Sequence, residues 1–385
     1  MNKIVVLGCG AVGKHMAIDL CKDPGCEVIS VDVNPEGLER LAREHPIQIR
    51  VEDLSTAEGV TRAVKDADIV IGSVPGFMGY AMLEGVIHAG KNIVDISYFL
   101  EDPFGLDDLA KEKSVTAVVD CGVAPGMANI ILGDHTRKMK VTRYECYVGG
   151  IPKARNVLFE YKSPFPVLEV LEEYAGSGRM VEDGKVVVKP MLSETATVDF
   201  EEVGPLACLN SDGLRTLIRT MDIPDMLEKT LRYPGHVDVM RIFRDAGFLN
   251  LTPIQVKGAS VRPIDVTTSL ISPHWKYGPG EADLTVMRLV ISGEEDGEPA
   301  TYTYDLYDEY DPATGTPSMA RTTGYTCTAV ARLVLDGGYS QKGISPPEFV
   351  GRVDGCRERV EKYLEDRGVR YRMQRSLSPR PCKQK

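Results

Sequence analysis

Lys3-Ile4-Val5-Val6-Leu7 runs straight into Gly8-Cys9-Gly10-Ala11-Val12-Gly13, and Val28-Ile29-Ser30-Val31 follows, closed by Asp32. The first run is short, apolar and β-branched, as a buried strand requires. After the glycines, Val12, Met16, Ile18 and Leu20 begin a helical apolar pattern. Asp32 stands nineteen residues beyond the last glycine. Strand, glycine turn, helix and acid-tipped strand form the dinucleotide-binding arrangement. Gly8 permits the tight turn, Gly10 lets the backbone reach a pyrophosphate, and Gly13 lets helix and strand pack closely. The helix start, at Ala11 and Val12, offers unpaired N–H groups to the phosphates. Asp32 can accept from both ribose hydroxyls and would repel a 2′-phosphate, so the expected cofactor is NAD rather than NADP.

The alternation continues through about the first 140 residues. Helices are predicted at 35–45, 56–65 (capped by Ser55), 77–89 and 106–113. Strands are predicted at Ile47-Gln48-Ile49-Arg50-Val51, Asp68-Ile69-Val70-Ile71, Asn92-Ile93-Val94 and Thr116-Ala117-Val118-Val119. Continuous apolar strands between helices indicate an α/β fold, a doubly wound parallel Rossmann sheet of six strands covered on both faces. Ligands of such sheets lie at the carboxyl ends of the strands. That rule places Asp53 and Leu54 beside an adenine and Ser73, Val74 and Pro75 along the nicotinamide half. It turns Ser97, Tyr98, Asp120 and Cys121 into the same crevice.

After Met139 the pattern changes to that of an α+β domain with a mostly antiparallel sheet. Strands are expected at Tyr144-Glu145-Cys146-Tyr147-Val148, Val186-Val187-Val188 and Ala196-Thr197-Val198-Asp199-Phe200. A hairpin of 284–291 and 301–306 turns through 294–299, and helices are expected at 213–221 and 236–246. The resulting division is a dinucleotide domain (1–140), an α+β domain (141–315), helices returning to the first domain (316–370) and a basic, disordered tail (371–385).

Composition narrows the partners. With 385 residues, 43% of them hydrophobic and 26% charged, the chain is long enough for two or three domains with large cores. Its net charge of −11 opposes nonspecific nucleic-acid binding, which needs a basic footprint. No apolar stretch spans a membrane, and no signal-peptide pattern precedes the first strand, so a cytoplasmic protein is expected. Nine cysteines without a CxxC pair read as reduced thiols. The six histidines show no ligand spacing, so no metal is expected.

Several residues can carry chemistry. Asp120, in Asp120-Cys121-Gly122-Val123-Ala124-Pro125-Gly126, can orient an amine or pass a proton; it can equally cap the turn, with Cys121 filling a gap. Tyr98 can hydrogen-bond a reacting nitrogen or simply cover the core. Thr230-Leu231-Arg232-Tyr233-Pro234-Gly235-His236 gathers an arginine suited to a carboxylate, a tyrosine and a histidine able to shuttle protons. A turn that caps a helix with surface side chains has the same pattern. Asn210-Ser211-Asp212-Gly213-Leu214-Arg215 offers a second arginine, Arg215. Gly149-Gly150 implies close backbone approach, to a substrate or only to the neighbouring domain.

These runs, with Asp95-Ile96-Ser97-Tyr98, Val148-Gly149-Gly150-Ile151-Pro152 and Thr323-Gly324-Tyr325-Thr326, resemble the saccharopine dehydrogenase-like oxidoreductases, and within them the lysine 6-dehydrogenase branch. The resemblance implies NAD-linked oxidative deamination at the ε-carbon of lysine, on a homodimer built through the middle domain. It gives Asp120, Tyr98 and His236 catalytic roles. Arg232, Arg215, Cys121, Gly149, Gly150 and Tyr233 fall to the substrate. Saccharopine reductases of the family carry a cysteine before the paired glycines, where this chain has Val148. That departure favours lysine over saccharopine. Formation of a secondary amine, as in saccharopine or carboxynorspermidine synthesis, is the alternative enzyme reading, and a noncatalytic NAD-binding regulator is the alternative of another class.

Overall fold

The structure, a computed structural model, describes residues 1–376. The chain divides into unit 1 (1–138 and 319–370) and unit 2 (139–318 and 371–376). In unit 1, β1 (Asn2–Leu7), α1 (Gly13–Leu20), β2 (Cys26–Asp32), α2 (Pro35–Glu44), β3 (Gln48–Val51), α3 (Ala57–Val64), β4 (Ile69–Gly72), α4 (Gly76–His88), β5 (Asn92–Asp95), α5 (Asp107–Glu112), β6 (Thr116–Val118) and α6 (Met127–Lys138) alternate. Unit 2 holds β7 (Lys140–Pro152), α7 (Val167–Ala175), β8 (Ser177–Glu182), β9 (Lys185–Pro190), β10 (Ala196–Phe200), β11 (Gly204–Asn210), α8 (Leu217–Thr220), β12 (Asp225–Arg232), α9 (Pro234–Asp245), β13 (Ile254–Val256), β14 (Ala259–Val261), α10 (Pro263–Trp275), β15 (Asp283–Glu295) and β16 (Glu298–Glu309). α11 (Ser318–Leu335), β17 (Gly343–Ser345), α12 (Pro347–Gly351) and α13 (Cys356–Glu365) follow in unit 1, and β18 (Tyr371–Ser376) in unit 2.

The unit 1 sheet runs β17-β6-β5-β4-β1-β2-β3, parallel throughout. It has seven strands rather than six, because Gly343-Ile344-Ser345 adds beside β6. Ile4, Val5, Val6 and Leu7 are all buried, as a central strand covered on both faces demands. Asn34 caps α2, accepting from Glu36 N–H and Gly37 N–H, with Pro35 at the first helical position. Thr56, not Ser55, caps α3; Ser55 instead donates both its N–H and Oγ–H to Asp53.

Buried ion pairs fasten α11 and α13 to the cofactor helix. Asp19 of α1 accepts from Arg367 Nε at 2.6 Å, Thr328 Oγ1 at 2.8 Å, Arg332 Nη1 at 3.4 Å and the Tyr363 hydroxyl. Gly324 of α11 packs on α1 so closely that a Cβ there would lie 2.9 Å from Met16 Cγ.

The sheet of unit 2 has nine strands, on the path β10-β11-β12-β7-β15-β16-β18, with β8 on β12 and β9 on β8. Every pairing is antiparallel except β12 with β7. β15 and β16 turn through Asp296-Gly297, at φ 53° and 83°, the two-residue geometry that suits a twisted hairpin. Three expectations are corrected here. Residues 371–376, expected in the disordered tail, form β18 against β16; the rest of that tail lies outside the described residues. The helix expected at 213–221 shrinks to Leu217–Thr220, because the chain at Arg215 takes a left-handed φ of 47°. Asp225–Arg232, not expected as a strand, is one of the central strands of the sheet.

Candidate active site

In unit 1 the glycine turn is built as its spacing requires. Gly8 sits at φ 102°, and a Cβ on it would lie 2.2 Å from Ser73 O. A Cβ on Gly13 would lie 2.0 Å from Gly8 O, so strand, turn and helix are packed backbone to backbone. Gly10 differs: a Cβ there meets no atom within 4 Å. α1 begins after Val12 with no side-chain cap, and Lys14 N–H and His15 N–H turn back to Gly10 O and Val12 O. Asp32 Oδ2 accepts from Cys9 N–H at 2.7 Å and Oδ1 from Asn34 N–H at 2.9 Å, which fixes the carboxylate beside the turn. A dinucleotide's pyrophosphate fits the open side of Gly10 and Ala11, and its ribose fits Asp32.

Other strand ends flank this turn. Ser73 N–H donates to Leu7 O, and Val74 N–H donates to Ser97 Oγ, which ties the end of β4 to the segment after β5. Pro75 starts α4. Asp53 follows β3, its carboxyl held below the usual range by the Ser55 hydroxyl and N–H, and Leu54 is buried. Tyr98 remains 45% exposed. Asp120 is buried and left-handed (φ 54°) just past β6. The following turn closes tightly: a Cβ on Gly126 would lie 1.8 Å from Gly122 O, and Met127 N–H donates to Gly122 O. Cys121, expected at the substrate, is wholly buried; burial pushes its thiol far up, and its N–H donates to Asp95 O. It is a core residue.

In unit 2 the conspicuous group is Arg232, at the end of β12 and buried. Its Nε–H donates to Tyr174 Oη at 2.9 Å and its Nη1 to Leu231 O at 2.9 Å, while the guanidinium lies 4.6 Å over the Tyr161 ring. Nη2 makes no hydrogen bond to a described residue. Burial works against the charge, but Tyr161, Tyr174 and Glu173 outweigh it and keep the arginine charged. Tyr174 passes the chain on, donating to His236 Nε2 at 2.9 Å. His236 Nδ1 must then be the protonated nitrogen, because its partner at 3.0 Å, Phe159 O, can only accept.

His236 belongs to that network. Both ring nitrogens are committed inside the aromatic core of Tyr161, Tyr174 and Trp275. Burial and the Arg232 charge hold its pKa down at about 3. In this structure both its nitrogens are spent on Tyr174 and Phe159 O, beside the hydroxyl that holds Arg232. Tyr233 and Gly149 also have structural reasons. Tyr233 Oη donates to Pro152 O at 3.0 Å with Arg155 over its ring, and a Cβ on Gly149 would lie 2.5 Å from Leu231 O of β12. Gly150, next along β7, faces Thr285 of β15 in the ladder. Arg215 is buried on the left-handed turn after β11. Tyr161 and Tyr174, the supports of Arg232, carried no motif; they lie 71 and 58 residues away in sequence and only the fold brings them together.

No cluster of histidine, cysteine or carboxylate groups fit for a metal occurs among the described residues, and no helix among them is long and apolar enough to cross a membrane.

Comparison with known proteins agrees with this architecture. The family model described as Saccharopine dehydrogenase NADP binding domain matches residues 4–118, and that described as Saccharopine dehydrogenase C-terminal domain matches residues 122–369. A saccharopine dehydrogenase [NADP(+), L-glutamate-forming] of Pyricularia oryzae is 23% identical over 424 residues, covering 90% of this chain and 93% of that protein. The mitochondrial α-aminoadipic semialdehyde synthase of Bos taurus is 22% identical over 98% of this chain, which spans 48% of that longer protein. The structure of apo saccharopine dehydrogenase (L-Glu forming) from Saccharomyces cerevisiae superposes with a TM-score of 0.80 at 18% identity, covering 98% of this chain and all of that one, so the two share a fold. The chain belongs to the saccharopine dehydrogenase family, as an oxidoreductase whose first unit is built for a nicotinamide dinucleotide.

Proposed function

We propose that the chain oxidises the ε-carbon of L-lysine with NAD, giving ammonia and 2-aminoadipate 6-semialdehyde, which cyclises to piperideine-6-carboxylate. Arg232 carries this reading. It is a buried, permanently charged guanidinium with one uncommitted nitrogen, Nη2, which suits a single carboxylate at the end of an amino acid. A nicotinamide held at the glycine turn would supply the hydride acceptor for the amine-bearing carbon, and water would convert the resulting iminium to aldehyde and ammonium. Asp120 takes the proton that the ε-ammonium must lose before hydride transfer, and Tyr98 orients the amine. Arg232 holds the far carboxylate.

Asp32 supports NAD: its carboxylate, fixed by Cys9 N–H and Asn34 N–H, stands where a 2′-phosphate would meet a negative charge. The matching family model and the Pyricularia relative are named for NADP, so the relative kcat/KM of the two cofactors is a direct check. Wild-type protein should prefer NAD, and Asp32→Gly should shift the ratio towards NADP.

The relatives' names favour a second reading, oxidation of the secondary amine saccharopine with release of glutamate. Product analysis separates the two. Incubation with NAD and L-lysine should yield ammonia, and incubation with saccharopine should yield no glutamate. Glutamate release from saccharopine, with L-lysine inert, would replace the first reading by the second.

A further inference from the structure

Arg232 keeps 7% of its surface exposed, so what it can reach depends on how its guanidinium is turned. Three contacts set that orientation. Nε–H donates to Tyr174 Oη at 2.9 Å, Nη1–H donates to Leu231 O at 2.9 Å, and the guanidinium carbon lies 4.6 Å over the centre of the Tyr161 ring. Leu231 is the neighbouring residue of β12, whereas Tyr174 comes from α7. Two fixed nitrogens and a stacked face leave Nη2 one direction in which to point.

A tyrosine hydroxyl can turn either its hydrogen or a lone pair towards a neighbour. Only the lone pair suits a guanidinium, which has donors alone. His236 makes that choice. Its Nδ1–H donates to Phe159 O at 3.0 Å, which leaves Nε2 an acceptor 2.9 Å from Tyr174 Oη. The tyrosine hydrogen is drawn to His236 and the oxygen lone pair is left for Arg232. Arg232, Tyr174, His236 and Phe159 O form a directed chain of three hydrogen bonds, each donor facing an acceptor. Burial and the Arg232 charge keep His236 neutral, at about 3, so the direction holds around neutral pH.

The far end of the chain is built under strain. Phe159 and Glu160 are consecutive non-glycine residues in the left-handed region, at φ 66° and 48°. Such strain persists only where the surroundings impose it. The Phe159 ring packs edge-on against Phe243 and Trp275, with centroids 5.9 and 6.2 Å away, and anchors the residue whose carbonyl meets His236. An apolar side chain at 236 could fill the same space; the histidine adds direction.

We propose that Tyr174 and His236 are positioning residues for the substrate carboxylate: they hold the Arg232 guanidinium so that Nη2 meets that carboxylate, and so set the preference for a carboxylate over a neutral group at that end of the substrate. The assignment rests on Arg232 holding a carboxylate, as in the proposed reaction, and does not depend on which C–N bond is oxidised.

L-Norleucine and L-norleucinamide test it. They share a side chain and an α-amine, differ as carboxylate against carboxamide, and have no oxidisable ε-amine. Calorimetric titration into the wild-type protein with NADH bound should show L-norleucine binding about 10–150-fold more tightly than the amide. Tyr174→Phe removes one oxygen and keeps the ring. It should cut that ratio roughly 5–10-fold and leave L-norleucinamide affinity unchanged. His236→Leu should do the same, because the hydroxyl is no longer directed, and His236→Gln, which offers Tyr174 an acceptor again, should restore most of the ratio. A role confined to packing would lower Tm and leave the ratio alone. If Tyr174→Phe does not fold, the two His236 variants carry the test. A wild-type ratio near 1, or binding of neither ligand, removes Arg232 from the carboxylate and the positioning roles with it. A ratio that survives in Tyr174→Phe and His236→Leu overturns the positioning roles alone. Collapse of the ratio in the variants of a protein that does not oxidise L-lysine would remove the lysine reading and leave the positioning roles standing.

Discussion

Replacing Gly10 and Gly13 by alanine separates the ligand's needs from the fold's. At Gly13 the new methyl would lie 2.0 Å from Gly8 O, a backbone atom, and 3.1 Å from Ser73 Oγ. Neither β1 nor β4 can yield without disturbing the sheet, so the change is an overpacking of roughly 1–3 kcal/mol. For a unit of this size that lowers Tm by roughly 2–12 °C. At Gly10 the methyl enters open space, and the cofactor-free protein should keep its Tm to within about 2 °C. Yet that space is where a pyrophosphate must approach the backbone. Losing one charge-assisted N–H contact of roughly 1.5–3 kcal/mol weakens binding about 10–150-fold. Thermal unfolding without ligand and NADH fluorescence titration measure the two effects. Gly13→Ala should fail in both assays and Gly10→Ala in the second alone. If Gly10→Ala binds NADH as the wild type does, the phosphates do not lie over Gly10 and the reading of the turn is wrong.

Other outcomes follow from the same geometry. Arg232→Lys keeps a charge but loses the planar edge and the stack on Tyr161, so kcat/KM for the amino acid should fall about 10–150-fold with little change in NADH affinity; an unchanged kcat/KM removes Arg232 from the substrate site. Asp19→Ala leaves Arg332 and Arg367 without their shared buried carboxylate and should cost roughly 3–5 kcal/mol in urea unfolding, whereas a loss below about 1 kcal/mol would make the network decorative. His15 and His236 are held neutral in the folded chain, at about 4 and about 3, chiefly by burial. The unfolded chain binds those protons near pH 6.5, so stability should fall as pH drops from about 6.5 towards 5, by roughly 1.4 kcal/mol per unit for each histidine. His236→Gln should remove one proton's worth of that slope, and a flat profile for the wild type over this range would contradict it.

Much of unit 1 was legible because a parallel sheet buries both faces of its strands, which therefore appear as unbroken apolar runs such as Ile4 to Leu7 and Ile69-Val70-Ile71. β17 escaped notice because three residues, Gly343-Ile344-Ser345, are too few to carry a period, and their place is set by β6 alone. β12 escaped because both its faces are buried and each carries a charge, Glu228 on one and Lys229 on the other, whose polarity hides a central strand. β18 looked like a tail because an edge strand can keep a basic, half-solvated face, here paired with Glu202 and Glu295. At the site, Gly8, Gly10, Gly13 and Asp32 were legible because local backbone geometry dictates them. His236 misled because a histidine near a turn looks the same in sequence whether it titrates or spends both nitrogens on the core. Tyr161 and Tyr174 left no local signal, since each matters only through contacts that the fold creates.

In the proposed reaction a hydride leaves the ε-carbon of lysine for the nicotinamide. L-Lysine deuterated at both ε-positions, incubated with NAD and the protein, tests it by mass spectrometry of the reduced cofactor. The NADH formed should carry one deuterium per turnover, with one ammonia released for each. Reduced cofactor without deuterium, or no reduction with L-lysine while saccharopine is oxidised, would contradict it.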